Sequence, residues 1–244
     1  MKKLLLGFIF VSCIANSQNI NFPDANFKAK LVSASPSNNI ASNAQGNHFK
    51  IDVNNDGEIQ QSEAVLVYSL NIIGGGITSI AGIEYFSELR NLDITANTIS
   101  ANSLQGFLNL QSLTLQNNQT TSVSLANLPQ LQSLTIQENS LSSFSGVIPS
   151  VGAMTFKSNN LTSLDLTGWT SLGLLYVGGN QLQALNLDNL TLHTLHVAAD
   201  TPIDTLDLSG NTMLDEVDLD SSDVKHLNLS GCSSLYIVEL MNTS

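Results

Sequence analysis

From Leu89 onward, apolar positions recur in short blocks: LRNLDITAN at 89, LQSLTLQNN at 110, LQSLTIQEN at 131, VGAMTFKSN at 151, LGLLYVGGN at 172, LHTLHVAAD at 192, LDEVDLDSS at 214 and LYIVELMNT at 235. Successive blocks start 21, 21, 20, 21, 20, 22 and 21 residues apart. The fourth and sixth residues of each block are apolar, and the residues flanking them mostly are not. Alternate side chains of a strand point to opposite faces, so each block predicts a strand with one buried face. The ninth residue is Asn97, Asn118, Asn139, Asn159 and Asn180 in the first five blocks, then Asp200, Ser222 and Thr243. An inward Asn there satisfies backbone groups left open where the chain leaves the strand, so the spacing predicts a polar ladder that weakens toward the C-terminus.

The blocks fit L-x-x-L-x-L-x-x-N, the leucine-rich repeat pattern, whose period runs from roughly 20 to 29 residues. Eight tandem matches predict a repeat solenoid, mostly β with parallel strands. The second halves of several units carry LTSLDL (161), LQALNL (182), IDTLDL (203) and VKHLNL (224), which predicts an extended return side rather than a long helix. On that side Asp165, Asn186, Asp207 and Asn228 form a polar column suited to hydrogen bonds between coils. The solenoid is assigned to residues 71–244, regular from 89 to 244, with 70–88 as an irregular opening turn. Gly74-Gly75-Gly76 in that turn is no phosphate cradle, because neither a lysine nor a helix follows.

A terminal repeat exposes its core, so a solenoid needs capped ends. Residues 18–70 are read as a small α-helical N-terminal cap. A helix over 24–32 begins at Asp24 with Phe27 and Leu31 on one face, and SEAVLVYSL predicts a second over 62–70. Between them DVNNDGEIQQSE, residues 52–63, carries oxygen donors at the spacing of an EF-hand loop. Asp52, Asn54 and Asp56 fill the first, third and fifth positions, Glu58 the seventh through its carbonyl, Gln60 the ninth through water, and Glu63 the twelfth. Gly57 permits the sharp turn, and Ile59 anchors the loop in the core. The expected cofactor is Ca2+. The stretch GNHFKI before the loop offers little helix, and the chain holds no second such loop. Calcium is therefore expected to staple the cap rather than to signal, at the ~0.1–1 mM affinity of extracellular modules.

The chain opens MKKLLLGFIFVSCIANSQ: two lysines, then an apolar run too short to span a bilayer. Ala15-Asn16-Ser17 suits signal-peptidase cleavage before Gln18, making 1–17 a signal peptide and the protein secreted or surface-bound. The rival is lipidation at Cys13, for which Phe10 is a poor residue and the apolar core very short. No later stretch predicts a membrane span. Cys232 is then the one remaining cysteine, read as a small buried residue, and the fold must stand without disulfides. Cleavage leaves six basic residues against twenty acidic ones, a net charge of −14. That argues against nucleic acid and anionic membrane as partners.

Residues 20–244 resemble secreted bacterial leucine-rich repeat proteins, including the internalin-like group. The repeats and the block INFPDANFKAKLVS…IDVNNDGEIQQSEAVLVYSLNI carry the resemblance. It implies a non-enzymatic surface for binding proteins or glycans, often in adhesion.

On the exposed strand face the third, fifth and seventh columns are small and neutral-polar at first, apolar and aromatic in the middle and acidic at the end. Leu174, Tyr176 and His196, with Asp218 beside them, form the expected contact patch for a protein or glycan, since aromatic residues supply most interface energy. Gly178 and Gly179 are read as leaving room above that patch. Eight of the twenty acids lie between Asp200 and Asp223, which suits a cationic partner, a second calcium, or a solvated face that keeps the chain soluble. Tyr176, His196 and Asp218 also fall in one column and could imitate a catalytic row. An open sheet offers no closed pocket or oxyanion donors, so the row is not read as an active site. His193 and His196 face opposite sides of a strand and cannot share a metal. The chain stops at Ser244 within the eighth unit, so self-association through a bare last strand is the alternative function.

Overall fold

The repeat pattern builds a solenoid. In the computed structural model, which describes residues 18–99, 102–105 and 107–242, nine parallel strands stack side by side. They are Ser69–Asn71, Asn91–Asp93, Ser112–Thr114, Ser133–Thr135, Ala153–Thr155, Leu174–Tyr176, Thr194–His196, Glu216–Asp218 and Ile237–Glu239. Ala41–Ser42 joins the sheet antiparallel at its N-terminal edge, pairing Ala41 with Leu70. The leader 1–17, including Cys13, and Thr243 lie outside the described residues.

Register follows the repeat: Leu92, Leu113, Leu134, Met154, Leu175, Leu195 and Val217 align across the sheet and are at most 2% exposed. The sixth-position residues Ile94, Leu115, Ile136, Phe156, Val177, Val197 and Leu219 lie beneath them, fully buried. On the return side Asn102–Gln105, Ser122–Ala126 and Ser143–Ser145 form one parallel sheet, and Thr205–Asp207 pairs with His226–Asn228 in another. The return side is extended, as the second half-repeats predict. Of its polar column, Asn228 Nδ2 donates to Asp207 Oδ1 at 3.1 Å. Asp165 and Asn186 instead accept from backbone amides two residues on.

The Asn ladder forms as expected. Asn180 Nδ2 donates to Phe156 O and Val177 O, both at 2.8 Å, while its Oδ1 accepts from Leu161 N at 3.1 Å. In the 22-residue unit, Ala199 and Asp200 both take left-handed backbone (φ 67° and 53°), where other units have one such residue at the eighth position. The extra residue shifts the ninth place to Thr201, fully buried, whose Oγ1 accepts from Gly179 N at 3.0 Å. Asp200 is exposed. At Ser222, 2% exposed, the hydroxyl has no hydrogen-bond partner, so this residue adds no side-chain bond to the ladder.

Ahead of the coils, helix α1 spans Ala25–Val32 with Asp24 as its N-cap, accepting from Phe27 N. Helix α2 spans Gln61–Ala64, not 62–70. Beyond Val65 the chain turns to strand period, so that Leu70 and Ile72, both fully buried, alternate into the core and Leu70 pairs with Leu92. The Val-rich sequence favours that outcome. Phe27, Leu31, Ile51, Ile59 and Val67 share one continuous core with the solenoid leucines. Among the described residues no helix is long and apolar enough to cross a membrane.

Candidate functional site

Two places gather functional chemistry. In the loop at 52–63, Asp52 and Glu63 are 2% and 6% exposed, two carboxylates with hardly any contact with water. Each is held by backbone amides. Asp52 Oδ1 accepts from Asp56 N at 3.1 Å and Oδ2 from Gly57 N at 3.2 Å; Glu63 Oε1 accepts from Val53 N at 2.8 Å and Oε2 from Gln60 N at 3.0 Å. The tight wrap needs left-handed backbone at Asn55 (φ 64°) and Gly57 (φ 80°), the second of which glycine adopts without strain.

The side chains converge across the loop. Asn54 Nδ2 donates to Asp56 Oδ2 at 2.9 Å and to Gln60 Oε1 at 3.2 Å, and Gln60 Nε2 donates to Asp56 Oδ2 at 2.8 Å. The Glu58 amide, with the Asn54 and Gln60 side chains, holds the Asp56 carboxyl below the usual carboxylate range. The Glu58 carboxylate turns away and pairs with Lys28 on α1. The nearest cation to the buried pair is Lys50, 3.7 Å from Asp52 Oδ2.

An all-oxygen donor set with two buried anions fits a hard divalent cation. Asp52, Asn54, Asp56, the Glu58 carbonyl and Glu63 are the donors that would hold such an ion. The ion would supply a divalent positive charge that neutralises carboxylates otherwise costly to bury. Sequence spacing does not signal the segment 18–20, which lies against the loop through an isolated β-bridge between Asn19 and Gln60, where Asn19 Oδ1 accepts from Gln60 Nε2 at 3.2 Å.

The second place is the open sheet face. Register sets Tyr176 beside His196, and His196 beside Asp218. The Tyr176 and His196 rings lie 4.1 Å apart between centroids, tilted by 53°. His196 Nδ1 is 2.9 Å from Asp218 Oδ2. Its Nε2 stands 3.3 Å from Glu216 Oε1, close enough for ion pairing, though the atom has no aligned hydrogen bond. Glu216 sits in the third column, and the sequence offers no reason to single it out. Leu174 occupies the same face two residues from Tyr176, also half-buried. His193 points elsewhere, toward Asp215 at 3.1 Å.

Beyond His196 the face turns acidic: carboxylate oxygens of Asp218, Asp220 and Glu239 lie within 4.8 Å of one another. Gly178 serves packing rather than open space above the patch. It is buried, and a Cβ there would meet Ala198 O at 2.1 Å, so adjacent coils approach too closely for any side chain.

No protein-family model matches the chain, and no curated protein matches it. Among solved structures it is similar to internalin C2 of Listeria monocytogenes, at 20% identity and a TM-score of 0.52, over 89% of this chain and 93% of that one. It is also similar to the functional domain of InlJ from the same organism, which includes a cysteine ladder, at 18% identity, a TM-score of 0.36 and 93% of this chain. This chain spans 63% of that domain's length. The Leptospira interrogans leucine-rich repeat protein LIC12759 is similar at 17% identity and a TM-score of 0.34, over 75% of this chain and 80% of that one. The likeness to internalin C2 is one of fold: the chain is a leucine-rich repeat solenoid.

Proposed function

We propose that this is a secreted or cell-surface, non-catalytic binding protein. Its sheet face takes a protein or glycan partner, and calcium in the 52–63 loop stabilises its N-terminal cap. The observation that carries the reading is the Tyr176–His196 contact on an open face, with Leu174 alongside and the carboxylates of Glu216 and Asp218 behind it. A rigid aromatic group set in an acidic surround suits a ligand with a cationic and an apolar part. The internalin-like solenoid fold supports recognition rather than chemistry. His196 argues the same way. Each of its ring nitrogens faces a carboxylate, so neither is placed to take a proton from a nucleophile.

The test is selection from a phage-displayed random peptide library on the immobilised protein in calcium, with a glycan array read in parallel. Expected are ligands carrying Lys or Arg whose binding is lost on Tyr176→Ala and on His196→Ala while the melting temperature holds. Ligands that bind Tyr176→Ala as tightly as the parent would overturn the assignment.

A further inference from the structure

We propose that residues 18–20 are a strap that completes the calcium loop, serving as the pairing partner that a second loop would otherwise provide. The inference rests on the calcium reading above. A lone loop leaves the backbone of its exit limb open, with the Ile59 carbonyl and the Gln61 amide to be satisfied by water or by another strand. Here that partner is the segment 18–20 of the same chain. Ile20 N donates to Ile59 O at 2.8 Å, Gln61 N donates to Gln18 O at 3.1 Å, and Asn19 and Gln60 form an antiparallel bridge between them. Ile20, 3% exposed, sits in the same core as Ile59, which fixes the strap in place.

The strap reaches the ligand positions themselves. Asn19 Oδ1 accepts from the Gln60 amide, the same amide that donates to Asp56 Oδ2, while Gln60 Oε1 accepts from Asn54. One side chain of the strap thus orients the ninth position of the loop, and through it the third and fifth. Partners one step removed from a metal ligand hold the ligand's orientation, and their loss weakens metal binding. The opposite flank is tied as well, by the pair between Lys28 and Glu58. A loop held on both sides is already in its bound shape and needs little further ordering when calcium arrives. Asn19 is therefore a positioning residue for calcium, as is the backbone of Gln18 and Ile20.

Calcium titration calorimetry on the full chain and three variants tests this, with melts in chelator alongside. Asn19→Ala removes the side-chain contact. Gln61→Pro removes the amide that donates to Gln18 O, together with the partly exposed Gln61 side chain; it sits at the first position of α2, which accepts proline, and follows an extended Gln60 (ψ 158°). Both are expected to weaken calcium binding about tenfold. Asn19→Asp, which adds an anionic oxygen beside the ninth position, is expected to tighten it. In chelator all three should melt within a few degrees of the parent. If the parent binds calcium and Asn19→Ala and Gln61→Pro bind it equally tightly, the strap is overturned and the calcium reading stands. Variants that lower the chelator melt with no change in affinity also overturn it, since the strap is then packing alone. A parent with neither a calcium heat nor a calcium-dependent melt overturns both.

Discussion

Asp24 and Thr78, 54 residues apart, are joined by two hydrogen bonds of 2.8 Å, from the Thr78 amide and its hydroxyl to Asp24 Oδ2. Ser79 N adds a third to the same oxygen at 3.1 Å, while Asp24 Oδ1 caps α1 by accepting from Phe27 N at 2.9 Å. One carboxylate therefore closes the helix and clasps it to the opening turn of the solenoid. Burial raises its pKa, but the bonds from Thr78, Phe27 and Ser79 outweigh burial and hold it at about 2, below the ordinary 3.8. A depressed folded-state value adds stability that is fully present above the unfolded value and is lost as pH falls through the folded one. Discounted for solvent screening of a carboxylate this accessible, the clasp should then contribute on the order of 1 kcal/mol at neutral pH and lose it between roughly pH 4 and pH 2. Denaturant melts against pH check this: the deficit of Asp24→Asn relative to the parent should shrink toward pH 2. A deficit constant across that range would mean the carboxylate charge is not what holds the clasp.

Calcium should raise the melting temperature, and the size follows from mass action. At about a hundred times the dissociation constant the gain is ~2.7 kcal/mol, or roughly 5–10 °C for a chain of this size. Glu63→Ala is a blunt control, because Glu63 also accepts from Val53, Asn54 and Gln60 and its loss weakens the loop without any ion. Glu63→Gln keeps the acceptor geometry on one oxygen and removes the charge. The expected result is a chelator melt nearer the parent's than that of Glu63→Ala, with the calcium increment gone. An increment that survives in Glu63→Gln would place the ion elsewhere, and the acidic trio of Asp218, Asp220 and Glu239 becomes the first place to look.

The ladder predicts changes of opposite sign. Asn180→Ala removes three hydrogen bonds and leaves buried carbonyls of Phe156 and Val177 without that donor, at a cost of about 3 kcal/mol. Ser222 occupies the equivalent place with an idle hydroxyl, so Ser222→Asn should stabilise the last coils by about 1 kcal/mol. Hydrogen exchange of residues 194–222 reads the second effect locally. Faster exchange there in Ser222→Asn would show that the site lacks room for the amide.

Much of this fold is legible in the sequence because repetition reports the same physics eight times. The fourth and sixth positions announce the core, and the Asn at the ninth announces the ladder. A single event is harder to read. The extra residue in the unit at 192 leaves a 22-residue interval in the sequence, but only paired left-handed backbone at Ala199 and Asp200 shows that Thr201 inherits the ladder. SEAVLVYSL has helical spacing, yet tertiary pairing of Leu70 with Leu92 claims its second half for the sheet. The site divides in the same way. The 52–63 loop is a contiguous motif whose oxygen donors the spacing names, whereas Asn19, 41 positions before Gln60, belongs to no motif of its own. Glu216 joins His196 only through the parallel register.

Tyr176 and Gly178, two residues apart on one strand, should separate binding from folding. Tyr176 is half-buried on the open face and touches His196, so Tyr176→Ala gives up one aromatic contact, about 1 kcal/mol, and leaves the coils in register. Gly178 is inside: any Cβ meets the Ala198 carbonyl at 2.1 Å and its backbone nitrogen at 3.2 Å, atoms of the next coil that cannot rotate away. Gly178→Ala must push two coils apart, breaking the packing of Val177 against Val197 and costing 2 kcal/mol or more by the usual scale of overpacking, about 1–3 kcal/mol. Thermal melts and ligand binding measured on both variants should dissociate. Tyr176→Ala melts within about 4 °C of the parent and loses its ligand; Gly178→Ala loses stability first, and any ligand it loses is lost with the fold. Equal melts for the two variants would mean that the coils give way more easily than their backbone spacing implies.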